Sequence, residues 1–269
     1  ALLSAWVVAE PAYYRDPAIH QDTVVFSAEG DLWRVSVDGG SAQRLTTDPG
    51  QETQPQISPD GKQIAFVASY HGVPEVYLMP MAGGIPRQLS FDASRVMLSP
   101  FAPTGEVVYA SGALIGPAGT LGLRMVDPRS GRSRNLPLAE ANQAGFDEQG
   151  QRLWFTRFGL QVSTDNALDY RGGAMARLYQ FDLGSDREAQ PVAADWSANL
   201  IRPMVWQGRI YLIADADGRP NLWSMLPDGS DRRALTQHRD FSVSSASLHD
   251  GRIVYQHGAD LRLYDIAQG

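Results

Sequence analysis

The stretch SPDGKQIAFVAS, Ser58 to Ser69, holds a turn and the strand that follows it. Pro59-Asp60-Gly61 supplies turn chemistry, and Ile64, Phe66 and Ala68 then alternate with Gln63, Ala65 and Val67, the period of two of a β-strand. One copy would mark a hairpin inside an undefined fold. Recurrence at a steady period would make the recurrence itself the fold.

It recurs along the whole chain. Strand pairs with a glycine-containing turn read TVVFSAEGDLWRVSVDGGSAQRLT (23–46), QIAFVASYHGVPEVYLMPMAGGIPRQLS (63–90) and EVVYASGALIGPAGTLGLRMVDPRSGRSRNLP (106–137). Three more open at RLWFTRF, RIYLIADADGRPNLWSM and RIVYQHGADLRLYD. Measured at Val24, Ile64, Val107, Leu153, Ile210 and Ile253, the spacings are 40, 43, 46, 57 and 43 residues. Each unit runs from a short polar strand through an apolar strand and an aromatic-bearing strand to a strand ending in Leu-Thr or Leu-Ser. Four antiparallel strands at this period are a propeller blade, so the expected fold is an all-β six-bladed β-propeller of four-stranded antiparallel blades. The blades are expected near 17–47, 53–90, 95–137, 141–193, 199–236 and 242–269, after a separate segment 1–12. Trp33, Tyr77, Tyr179, Trp223 and Tyr264 on the third strands are expected to fill the wedges between sheets.

The sixth unit ends at LRLYDIAQG without a fourth strand. Two readings of ALLSAWVVA, residues 1–9, therefore stay open. It resembles the apolar region of a secretory signal, or residues near Ala5 to Val8 supply the missing strand and fasten the ring. It is too short to span a bilayer, which takes about 20 apolar residues. The first reading carries an expected periplasmic or secreted location, with cytoplasm as the alternative.

Composition narrows the function classes. The chain of 269 residues is 43% hydrophobic and 20% charged, enough to bury a substantial core. A net charge of −7 without a lysine or arginine cluster would repel a nucleic-acid backbone, so no nucleic-acid partner and no membrane partner are expected. The absence of cysteine excludes disulfides, thiolate metal sites and cysteine nucleophiles. No G-x-S-x-G elbow, H-E-x-x-H motif or P-loop is present, and no catalytic residue is assigned to this chain. His238-Arg239-Asp240-Phe241 imitates a kinase catalytic loop but reads as a solvated link, and Asp215-Ala216-Asp217-Gly218 imitates a calcium loop but has Leu226 where a glutamate is required. The five histidines, His20, His71, His238, His249 and His257, read as dispersed without ligand spacing, so neither metal nor cofactor is expected.

Strand alternation assigns the loops to two faces. First-to-second and third-to-fourth turns share one, and these are short and uniform: SPDGK, APTGE, DEQGQ, LPDGS. The opposite face carries SGALIGPAGT in unit 3, the insertion RFGLQVSTDNALDYRGGA (157–174) in unit 4, and the links between units. Long loops in repeat proteins gather where binding happens, which makes that face the candidate site. Arg95, Arg157, Tyr170 and Arg171 lie on it and are the peptide-binding candidates, a guanidinium being able to take a carboxylate with two parallel hydrogen bonds.

PAIHQDTVVFSAEGDLWRVSVDGGSAQRLTTDPGQETQPQISPDGKQIAFVAS, DYRGGAMARLYQFD and DGRPNLWSMLPDGSDRRALTQHRDF together resemble the amino-terminal six-bladed propeller of tricorn-type proteases, from about Tyr13 to Gly269. The SPDGK turn is shared with TolB-like propellers, and the YRGG insertion is the more specific feature. The resemblance implies a large hydrolase in which this propeller is followed by a second propeller, a PDZ domain and a catalytic domain with a serine nucleophile and a histidine base. It implies a peptide passage to the catalytic chamber, and a basic pair after blade 2 that holds the peptide's carboxyl end. Here that loop reads Asp92-Ala93-Ser94-Arg95-Val96-Met97, with Arg95 alone matching. The partners implied are peptides or downstream protease domains, with homo-oligomers formed through the full-length protease. A free-standing TolB-like interaction propeller is the alternative, separated by the reading frame downstream of Gly269.

Overall fold

The alternation at Ile64 to Ala68 exists because the two sides of that strand face different neighbours. In the computed structural model, which describes residues 13–113, 120–158 and 170–269, Ile64, Phe66 and Ala68 pack with Val25 and Leu32 of the preceding unit. Ala65 and Val67 pack with Val96, Leu98 and Val107 of the following one. A strand apolar on both sides is what a sheet sandwiched between two sheets requires.

The units form six sheets arranged as a six-bladed propeller. Blade 1 is β1 (Arg15–His20), β2 (Thr23–Ala28), β3 (Asp31–Ser36) and β4 (Gly39–Arg44), and blade 2 is β5 (Glu52–Ile57), β6 (Gln63–Ala68), β7 (Glu75–Pro80) and β8 (Arg87–Gln88). Blade 3 is β9 (Val96–Leu98), β10 (Val107–Ser111), β11 (Gly122–Val126) and β12 (Ser133–Asn135). Blade 4 is β13 (Ala144–Phe146), β14 (Arg152–Arg157), β15 (Arg177–Asp182) and β16 (Gln190–Val192). Blade 5 is β17 (Leu200–Trp206), β18 (Arg209–Ala214), β19 (Asn221–Met225) and β20 (Arg233–Ala234), and blade 6 is β21 (Val243–His249), β22 (Arg252–His257) and β23 (Asp260–Asp265). Each sheet is antiparallel in chain order, from the innermost strand outward.

The core is split among the blade interfaces, with one apolar cluster at each of the six. Of the third-strand aromatics, Tyr77 is buried, while Trp33, Tyr179, Trp223 and Tyr264 are partly buried against these clusters. Blade 6 has three strands among the described residues; the closing strand expected near Ala5 to Val8, like the signal-like reading of 1–12, falls outside them. The seam is held by packing of blade 6 on blade 1. Val254 joins Ile19, Val24 and Phe26 in one cluster, Ile19 N donates to Ser247 Oγ at 3.3 Å, and Arg252 pairs with Asp22 at 2.9 Å.

Two recurring sequence features have local causes. In the SPDGK turn, Ser58 Oγ accepts from Gln63 N at 2.9 Å and donates to Asp60 Oδ1 at 2.7 Å. Gly61 has φ 70°, and a Cβ there would lie 2.6 Å from His20 Cε1. The Leu-Thr or Leu-Ser ending serves the third strand: Thr46, Ser90 and Thr236 hydroxyls accept from Leu32 N, Val76 N and Leu222 N at 2.9, 2.8 and 2.9 Å. Each then donates to a buried polar side chain, Glu52, Glu75 or Asn221. Thr46→Val keeps the shape but strips one bond from the buried Glu52 carboxylate and one acceptor from Leu32 N, so it is expected to cost about 1–3 kcal/mol in a urea melt. Thr46→Ser is expected to retain most of that stability.

Candidate functional site

The innermost strands surround the propeller axis, and irregularities in them decide what faces it. β1, β5 and β17 each carry a bulge, at which Asp16, Gln54 and Arg202 adopt φ values of 49°, 54° and 53°. Each precedes a proline (Pro17, Pro55 or Pro203), a residue that cannot donate to a ladder and that sits in strands at bulges or edges. The bulges lie near the start of each strand, the end nearer the long-loop face.

A polar collar results. Asp16 Oδ1 and an Arg202 Nη lie 3.7 Å apart, linking blade 1 to blade 5, with both side chains about four-fifths buried (21% and 20% exposed). Gln54 N donates to Asp16 Oδ2 at 3.4 Å, Leu98 N to Gln54 Oε1 at 2.9 Å, Arg202 N to Gln143 Oε1 at 2.9 Å, and Asp16 N to Gln256 Oε1 at 3.3 Å. Most of these bonds cross from one blade to the next, so the collar ties the ring together while lining it. Burial holds the Arg202 guanidinium below its ordinary pKa, and Asp16 pulls it back up. Arginine starts so high that it stays charged.

At the other end, on the short-turn face, lies a vestibule of about 340 Å³. Ile19, Ile57, Phe101, Phe146, Val205 and Leu248, one from each blade, make its apolar wall. The axis therefore has a charged, amide-lined end and an apolar one.

The four sequence-predicted residues lie at the long-loop face in different states. Arg95, in the link between blades 2 and 3, is exposed, and its carbonyl accepts from Gly112 N at 3.0 Å. The neighbouring Asp92 is bonded to Arg124 of β11. Arg157, at the end of β14, lies with its guanidinium carbon 5.4 Å from the Tyr179 ring centroid and 5.1 Å from that of Phe158. Tyr170 is half-buried and its hydroxyl accepts from Ala174 N at 3.2 Å. Arg171 reaches blade 5, where Nη1 lies 3.0 Å from Oδ2 of the buried Asp215. The contacts join Arg171 to Asp215 and Arg157 to Tyr179.

The collar was missed by sequence reasoning, although Asp-Pro, Gln-Pro and Arg-Pro in three first strands were a usable signal. The histidines also group differently from their dispersed appearance. His20 meets His249 across the seam with ring centroids 4.2 Å apart, and His238 stacks on His257 at 3.8 Å.

The family model for the tricorn protease N-terminal beta propeller domain matches residues 11–269. The putative tricorn protease homolog 2 of Streptomyces coelicolor is 35% identical over 263 residues, covering 94% of this chain and 22% of the relative. The chain thus spans about a quarter of the length of the curated relatives it matches. Among solved structures, the tricorn protease superposes with a TM-score of 0.82 at 21% identity, covering 96% of this chain and 26% of that one. A putative TolB from Agrobacterium tumefaciens gives 0.68 at 18% identity, covering 84% and 81%.

Proposed function

Because this chain belongs to the tricorn protease N-terminal beta propeller domain family, we propose that it is the non-catalytic peptide-passage and docking propeller of a tricorn-like serine protease. The observation that carries the reading is a propeller axis with unlike ends, a collar built around Asp16 and Arg202 and an apolar vestibule contributed by all six blades. A peptide entering from the long-loop face meets Arg95 at the rim. Its free carboxylate has a second cationic partner in Arg202, with Asp16 the group to be displaced. The chemistry of bond cleavage is assigned to segments outside this chain, in keeping with the small fraction of the relatives that it covers.

The test uses fluorescent peptides with free and amidated carboxyl ends, titrated against this chain. The free form is expected to bind more tightly, and Arg95→Ala to reduce that preference roughly 10- to 150-fold, the worth of one charge-assisted contact of about 1.5–3 kcal/mol. Equal losses for both forms, or none, would make Arg95 an ordinary surface residue. Arg202→Gln then tells whether the rim or the collar holds the carboxylate. The second reading, a free-standing TolB-like interaction propeller, is favoured by the 81% coverage of the TolB chain. A stop codon directly after Gly269 would select it.

A further inference from the structure

The link from blade 5 to blade 6 carries His238 and Asp240, and the fold brings both to His257 at the end of β22. One donor atom from each of the three residues lies within 4.8 Å of the others. His257 is fixed by burial, its side chain 2% exposed, and its Nε2 is 3.0 Å from Oδ1 of Asp240, whose side chain is 61% exposed. We propose that His238, Asp240 and His257 form a binding site for a divalent transition-metal ion of the zinc type, at the junction of blades 5 and 6.

The donor set of two imidazoles and one carboxylate suits zinc, which takes three protein ligands and a water in open sites. Hard cations such as magnesium and calcium prefer all-oxygen shells, and the two nitrogens select against them. The surroundings hold the ligands as outer-shell partners do. Tyr255 OH is 3.1 Å from Nε2 of His238, leaving Nδ1 as the nitrogen for an ion, and His238 N donates to Asn221 Oδ1 at 2.9 Å, fixing the link. The His238 and His257 planes are tilted by 28°, so the His238 ring must turn its lone pair toward the shared point when an ion binds. A cleft of about 460 Å³, lined by Asn221, Gln237, Arg219 and Arg239, lies beside His238.

The experiment strips the chain with a chelator, then titrates zinc chloride with a competing chromophoric chelator and follows thermal unfolding. One zinc per chain is expected, with a rise in melting temperature of roughly 5–10 °C at a hundredfold excess over Kd. Asp240→Ala, at an exposed position that leaves the fold intact, and His238→Ala are each expected to weaken binding at least about tenfold and to remove most of the thermal shift. Cobalt substitution is expected to give visible absorption bands that Asp240→Ala alters. No binding at 100-micromolar zinc (about 5.5 kcal/mol), or binding that both variants leave unchanged, would overturn the site and leave a hydrogen-bonded His257–Asp240 pair.

Discussion

Gly145→Ala is expected to destabilise this chain by about 3 kcal/mol or more, lowering the melting temperature by roughly 6–12 °C. Gly145 sits in the middle of β13, the innermost strand of blade 4, with none of the positive φ that explains most turn glycines. Its constraint is contact. A Cβ built there would lie 2.2 Å from the Pro203 carbonyl oxygen and 2.8 Å from its carbon. Neither atom belongs to a flexible side chain, so relief requires moving the β17 backbone, which also holds the Arg202 bulge and the collar. Gly173→Ala is the control, since nothing lies within 4 Å of a Cβ there, and it is expected to stay within about 0.5 kcal/mol of the parent. Circular-dichroism melts of the two variants decide the matter. Equal, small effects would mean that blades 4 and 5 can separate freely at the axis.

Gly145 also marks the boundary of what sequence could reveal. The six units were legible because each repeats the same local instruction, a turn followed by an apolar alternation, and local instructions survive without knowledge of neighbours. Ile64 and Phe66 alternating with Ala65 and Val67 read as a β-strand, and the structure assigns one set to each flanking blade. The polar fourth strands were legible from the Leu-Thr and Leu-Ser endings, for a reason visible only in three dimensions: the hydroxyls complete the third strand. Contacts made by ring closure were not legible. Asp16 and Arg202 come from blades 1 and 5 and meet only because six twisted sheets return to a common axis. The left-handed conformations at Asp16, Gln54 and Arg202 run against the preference of non-glycine residues, more so before proline, and persist because the collar's hydrogen bonds fix them. His20 and His249 stand at opposite ends of the sequence and meet by the same closure.

On the long-loop face, Arg171 was selected as a peptide-binding candidate, and it has a partner within the protein. Asp215 is 1% exposed, and its Oδ1 accepts from Asn199 N at 2.7 Å while Oδ2 accepts from Asn199 Nδ2 at 2.8 Å and from Arg171 at 3.0 Å. A peptide carboxylate reaching Arg171 would compete with a buried carboxylate already aligned to it.

Asp215→Ala is accordingly expected to cost about 3–5 kcal/mol, the range for removing one member of a buried charged network. Asn199 N would lose an acceptor in a site with little access to water, a penalty of about 1–3 kcal/mol. Arg171 is 35% exposed along its side chain and can turn to solvent, which places the total toward the lower end. Arg171→Ala leaves Asp215 its two bonds from Asn199, so its effect is expected to be smaller, about 1 kcal/mol. The double variant is expected to be non-additive by at least about 0.5 kcal/mol, as groups in one network are. Denaturant melts of the two single variants and the double variant close the cycle. If Asp215→Ala proves no worse than Arg171→Ala, the carboxylate does not organise the junction of blades 4 and 5, and Arg171 returns to the set of residues available to a peptide.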